Sequence, residues 1–131
     1  MRTGIKMTLM GVLGLIAGAS AMQALHAQAA GAPAFLVANI ESVNDAATFA
    51  QYREGATKSF APYGGHRLVR DATPVRLDSS TLPEGKIAIL QFPSMKALQD
   101  WWNSPAYTAV RPLREKSAVT RIFAVEGLPA P

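Results

Sequence analysis

Between residues 35 and 125 the apolar positions of this chain fall into two rhythms, one with a period of two and one with a period between three and four. Phe35-Leu-Val-Ala-Asn-Ile40 is apolar at nearly every position and predicts a first strand. Asn44 and Asp45 are helix-capping types, and Phe49, Tyr52, Ala56 and Phe60 then follow at helical spacing on one face. Pro62 disfavours helical geometry at Ala61 and ends that helix, and Gly64-Gly65 makes the turn. His66 to Asp71 reads as a second strand, with Pro74 to Leu77 as its interrupted continuation. Leu82-Pro-Glu-Gly85 is a turn, and Lys86-Ile-Ala-Ile-Leu-Gln-Phe92 is the clearest strand in the chain. After the stop at Pro93-Ser94, Leu98, Trp101 and Trp102 form the apolar face of a short second helix. Ser104-Pro105 reads as a fresh N-cap with proline at the first helical position. The helical stretch that follows carries Tyr107, Val110 and Leu113 and is expected to kink or restart at Pro112. Thr120-Arg-Ile-Phe-Ala-Val125 is the last strand.

The order is βαββαβ, the split arrangement of ferredoxin-like sheets, and the expected class is α+β. Alternation along the strands adds a stronger inference. Leu36, Ala38 and Ile40 point one way, and Phe35 and Val37 the other. The third strand divides as Ala88, Leu90 and Phe92 against Ile87 and Ile89, and the last as Ile122 and Ala124 against Phe123 and Val125. Both faces of the sheet are therefore apolar, yet the helices suffice to cover one. The expected solution is a homodimer with the sheets packed face to face, a dimeric α+β barrel.

The first thirty residues carry a different signature. Arg2 and Lys6 precede an uncharged stretch from Met7 to Met22, and small residues stand at Ala27 and Ala29. This is the layout of a cleavable signal peptide, residues 1–29, cut after Ala27 or Ala29. The apolar run falls short of the ~20 residues that span a bilayer, so no membrane association is expected after its removal. The expected mature chain is one small domain, residues 30–131, exported to a bacterial periplasm or secreted. The pI of about 9.8 partly belongs to the leader. Without Arg2 and Lys6 the 13 basic residues become 11 against 9 acidic ones, a net charge of +2. No basic run interleaved with aromatics is present, so nucleic acid is not an expected partner.

With no cysteine, thiol catalysis, iron–sulfur clusters and thiolate zinc sites are excluded. His66 is the single histidine of the expected mature chain, and no second ligand stands at helical or strand spacing from it, so no metal is expected. Neither a Gly-x-Ser-x-Gly elbow nor a phosphate-cradling glycine motif occurs, and no cofactor is expected. His66, Leu68 and Arg70 alternate on one face of the second strand. If that is the face carrying Asn39 and Gln91, these four polar residues line a pocket inside an apolar barrel. In that arrangement His66 is the candidate general acid or base, Arg70 an anion or oxyanion partner, and Asn39 and Gln91 the orienting groups. Adjacent tryptophans on a helix differ by about 100° in direction, so one packs in the core and the other edges a pocket or seam. Trp102, Tyr107 and Arg111 are the further ligand-binding candidates. Arg111 and Arg114 share a helical face that could hold a carboxylate, or could pair on the surface with Glu115 or Asp100.

The motifs resemble those of the domain-of-unknown-function 1330 family. They are Phe35–Ile40, Phe49-x-x-Tyr52-Arg53, Ala61-Pro-Tyr-Gly-Gly-His-Arg-Leu-Val-Arg70, Leu90-Gln-Phe-Pro-Ser94, Trp101-Trp-Asn-Ser-Pro-Ala-Tyr107, Arg111-Pro-Leu-Arg114 and Val125-Glu-Gly127. They run in order through almost the whole expected mature domain, and the resemblance implies the same sheet-to-sheet dimer. This chain has Asp71-Ala72 where the resemblance would put Gly-Gly, and Gln91 and Ala106 where it would put acidic residues. Chemistry that rests on those acidic groups is thus not implied here. The expectation for function is an exported homodimer that binds a small organic molecule in the barrel, between sheet and helices, with cofactor-free acid–base chemistry on it. The alternative is a non-catalytic binding or stress-associated structural module.

Overall fold

Alternating apolar residues need a partner layer on each face they present, and the chain meets that need on one side of a single sheet. The structure, a computed structural model, describes residues 31–131. The expected signal segment, residues 1–29, and residue 30 at the expected mature start therefore lie outside the described residues. The elements run β1 (Ala34–Val43), α1 (Ala46–Phe60), a 3-10 turn (Ala61–Tyr63), β2 (His66–Ala72), β3 (Lys86–Phe92), α2 (Met95–Trp102), α3 (Pro105–Ser117) and β4 (Ala118–Glu126). The four strands form one antiparallel sheet in the order β2-β3-β1-β4. This is the ferredoxin-like α+β arrangement that the pattern predicts.

Each helix begins where a short polar side chain takes up free backbone N–H groups. Asp45 accepts from the Thr48 amide at 3.1 Å, Ser94 from the Ala97 amide at 3.0 Å and Ser104 from the Tyr107 amide at 3.3 Å. Phe49, Ala56 and Phe60 of α1 are buried, with Tyr52 packed against them. Gly55 lets α1 and α3 approach closely, since a Cβ there would lie 2.4 Å from Val110 Cγ1. Trp101 is 2% exposed at the centre of the core, and its indole N–H donates to Ser59 Oγ at 2.8 Å. Trp102 is half-buried at the edge, as the 100° argument requires.

Helix α3 is a single helix that runs through Pro112 rather than restarting there. The hydrogen bond that proline removes would have gone to the Thr108 carbonyl. Thr108 and Pro112 are both exposed, so water can serve that carbonyl and the helix continues. Residues 74–77 form no strand, contrary to the pattern. Register shifts on either side of Val69 and a positive φ of 48° at Asp71 twist β2 away, and Pro74 has no N–H to donate to β3. Val75 and Leu77 are left 79% and 95% exposed in the loop.

On the helix-covered face, Leu36, Ile40, Ala88, Leu90 and Phe92 are buried. The opposite face carries Val37, Ile87 and Ile89 at the centre and Phe123 and Val125 on β4, the last two 55% and 48% exposed. The described helices pack on the first face and leave the second open.

Candidate functional site

Ala38 of β1 stands directly opposite Ala88 of β3, and Ala56 of α1 faces the same space. Three methyl groups meet where larger side chains would close the gap between helix and sheet. The result is a cavity of about 60 Å³, walled by Leu36, Ile40, Phe49, Leu90 and Ile122. That volume accommodates roughly four to six water-sized groups.

Polar groups enter the cavity from both edges of the sheet. On the β2 side, Arg53 of α1 holds Asp71 in a two-pronged ion pair at 2.5 and 2.9 Å. The left-handed backbone at Asp71 belongs to the bulged stretch of β2 that brings this carboxylate to Arg53. Arg67 lies beside this pair and donates Nη2 to Thr57 Oγ1 at 3.1 Å. Burial, and then the neighbouring Arg70, push the Arg67 guanidinium below its ordinary pKa. On the β4 side, Arg114 of α3 donates to Thr120 Oγ1 at 2.7 Å. The hydroxyls of Tyr52 and Tyr107 meet there at 3.0 Å. Burial first, and the adjoining Tyr107 second, raise the Tyr52 pKa, so its phenol stays protonated across the physiological range.

The charges do not balance. The ion pairs among the described residues are Arg53–Asp71, Lys58–Glu54, Lys96–Asp100 and Arg121–Glu41. Arg67 and Arg114 enter none of them, and residues 1–30 contain no Asp or Glu. The cavity therefore has three arginines against one aspartate. Both unpaired arginines keep a buried Nε–H without an acceptor. A buried donor left unsatisfied costs about 1–3 kcal/mol, more when charged, so these groups are poised for an acceptor.

The residues expected from the sequence are distributed differently. Pairing across the sheet sets His66, Gln91, Phe35 and Val125 in one row of the open face. Ile87, Asn39 and Arg121 form another row, four residues away along β1, or about 13 Å. His66 and Gln91 are thus neighbours, whereas Asn39 is not brought to them. The Asn39 amide donates to the carbonyls of Glu84 and Lys86 at 2.7 and 3.3 Å and pins the end of the β2–β3 loop. Gly85 passes so close there that a Cβ would lie 2.0 Å from the Ile40 carbonyl, and its φ is 75°. Arg70 does not share the face of His66, because the register shifts after Arg67 break the simple alternation along β2. It lines a surface groove with Arg53, Glu54, Thr57, Lys58 and Arg67.

Tyr107 is fully buried and lines the cavity. Trp102 stacks against it with ring centroids 5.1 Å apart. Arg111 lies over the Trp102 ring at 4.5 Å and donates to the Trp102 carbonyl, outside the cavity lining. Arg111 and Arg114 therefore do not act as one carboxylate clamp, and Asp100 pairs with Lys96 instead.

Sequence reasoning missed Tyr52, Arg67, Arg53 and Asp71 as site residues, and considered Arg114 only together with Arg111. Two signals were present. Tyr52 is the one polar-tipped member of the apolar face Phe49, Tyr52, Ala56 and Phe60. Arg67 alternates with His66 and so falls on the covered face, where an arginine calls for an explanation. Among the described residues, no helix is long and apolar enough to cross a membrane. None of their His, Asp or Glu residues stand in groups of three or more that could hold a metal ion.

Comparison with known proteins agrees with this fold. A protein of unknown function from Rhodopseudomonas palustris superimposes with a TM-score of 0.60 at 16% identity, covering 74% of this chain and 83% of that one. A dabb family protein with a ferredoxin-like fold from Mesorhizobium loti gives a TM-score of 0.48 at 12% identity, covering 76% and 99%. A cofactor-independent oxygenase from Streptomyces nogalater gives 0.46 at 12% identity, covering 72% and 91%. No curated protein matches the sequence. The profile of the domain of unknown function DUF1330 matches residues 33–128, from the chain just before β1 to just beyond β4, and the chain belongs to that family.

Proposed function

We propose that the protein binds a small organic molecule in the cavity between sheet and helices. One observation carries this reading. Arg67 and Arg114, neither paired with a carboxylate, converge with the Tyr52–Tyr107 hydroxyls on a cavity that is otherwise apolar apart from the Arg53–Asp71 pair and Thr120. Apolar walls with a few convergent polar groups are the usual make-up of a small-molecule site. A core selected for stability alone would close over Ala38 and Ala88 with larger side chains and would not hold unpaired guanidinia.

The test is native mass spectrometry of the protein isolated from its own cells without denaturation, beside an Ala88→Leu variant that fills the cavity. An extra mass on the wild type that is absent from the variant supports the reading. An unliganded wild type that also fails to take up small probes in solution overturns it and favours a non-catalytic structural module.

Around that site we propose a homodimer, with a second copy covering the face that carries Val37, Ile87, Ile89, Phe123 and Val125. An apolar surface of that extent marks an interface, and a two-fold axis lets one patch cover its own copy. In this assembly the row of His66 and Gln91 lies at the seam. Acid–base chemistry by His66 belongs to this dimeric form, without Arg70, which lines the groove against α1, and is tested by turnover in a His66→Ala variant. Export is proposed from the basic start, apolar run and small residues of positions 1–29. Recovery of the chain from the periplasm with its N-terminus at Gln28 or Ala30 is the expected result.

A further inference from the structure

The hydrogen-bond inventory at the β4 end of the cavity is lopsided. Two phenol hydroxyls meet at 3.0 Å, and one O–H of the pair satisfies the contact, so the other O–H has no protein acceptor. Arg114 spends an Nη on Thr120 and keeps its buried Nε–H free. No carboxylate lies within ion-pairing distance of it. The spare capacity here is donor capacity beside an uncompensated positive charge. At the β2 end, by contrast, Asp71 already offsets one arginine, and Arg67 also faces the surface groove.

We infer that the cavity selects an anion, of the class of short carboxylates, and seats its charge between Arg114 and the Tyr52–Tyr107 hydroxyl pair. The inference rests on the proposed binding function and names its ligand class. A carboxylate oxygen accepts from the Arg114 Nε–H while the second oxygen accepts the uncommitted phenol O–H. The protonated state that burial enforces on Tyr52 keeps that O–H available as a donor. The short hydrocarbon part of the ligand lies against Ala38, Ala56 and Ala88, where the space is. A neutral amide of the same shape offers one carbonyl oxygen and a weak N–H₂ contact to a phenol oxygen, and it brings no charge to set against Arg114.

The test compares propionate with propionamide, which fit the same space, by titrating each into the full-length protein. The readouts are the arginine Nε–H resonances and tryptophan fluorescence. Propionate is expected to bind at least about tenfold more tightly, the scale of a charge-assisted hydrogen bond. Arg114→Gln is expected to abolish that preference, while Arg111→Gln, outside the cavity lining, leaves it intact. Equal binding of acid and amide overturns the anion selection and leaves the cavity as a binding site. A preference for propionate that survives in Arg114→Gln overturns the proposed seat. Binding of neither probe overturns this inference and the proposed function together. The wild-type comparison decides the question even if the Arg114 variant folds poorly.

Discussion

Several single residues in this protein are set by one contact, and each such contact has a sign that can be checked. Gly55 is the clearest. In an exposed helix, alanine is favoured over glycine by about 1 kcal/mol. At position 55 the added Cβ would lie 2.4 Å from Val110 Cγ1, and a β-branched side chain has little freedom to move aside. Gly55→Ala is therefore expected to destabilise the protein by about 1–3 kcal/mol in urea denaturation. In a Val110→Ala background the same change is expected to become neutral or stabilising. A loss of equal size in both backgrounds would show that the α1–α3 contact is not its cause. Asn39 makes a second case. Removing its amide in Asn39→Ala leaves the carbonyls of Glu84 and Lys86 without their donor, at a cost of about 1–3 kcal/mol. Faster hydrogen exchange in the β2–β3 loop should accompany the loss, with propionate affinity unchanged. Asp45 adds a pH dependence of known direction. Its side-chain and backbone bonds to Thr48 hold its pKa below the usual 3.8. A depressed carboxylate pKa stabilises the fold above the unfolded value and loses that contribution as pH falls through the folded value. Asp45→Asn keeps an acceptor for the Thr48 amide but should flatten the acid limb of the stability profile below about pH 4.

At the scale of elements, the cavity depends on where two strands and one helix place their smallest side chains. Ala38 and Ala88 are registered across β1 and β3, with Ala56 above them. Ala88→Val adds two methyl groups to open space, so folding stability should change by less than about 1 kcal/mol while propionate binding falls sharply. A large loss of stability with binding intact would mean that the space does not exist in solution. The strands and helices themselves were legible from periodicity and caps, because burial of one face dictates both. The rest was hidden for definite reasons. The pattern can say that Ala38 and Ala88 are apolar, but pairing them needs the register, which comes from long-range contacts. The bulges around Val69 shift the alternation of β2, so reading outward from His66 misplaced Arg70 relative to the open face. Arg114 looked like one of a basic surface pair until Thr120 and Tyr52 were brought beside it by the return of β4 along β1.

For the whole molecule, the decisive asymmetry is between a sheet face that helices cover and one that they do not. Placing a charge in the middle of the open face tests the proposed assembly directly. Phe123 is 55% exposed in the single chain, so Phe123→Glu should leave the fold intact. Sedimentation should then report a monomer where the unaltered protein sediments as a dimer. A wild type that is monomeric at micromolar concentration would remove the assembly from consideration without touching the cavity, since the two lie on opposite faces of the sheet. That separation has a consequence for how such a protein can change over generations. The trio of alanines works as a gauge: one methyl group more or less at position 38, 56 or 88 alters the size of guest admitted. None of the three lies on the face through which copies would meet, and none caps a helix. Descendants of this chain could therefore drift from one small acid to another by single conservative substitutions, with the architecture left undisturbed.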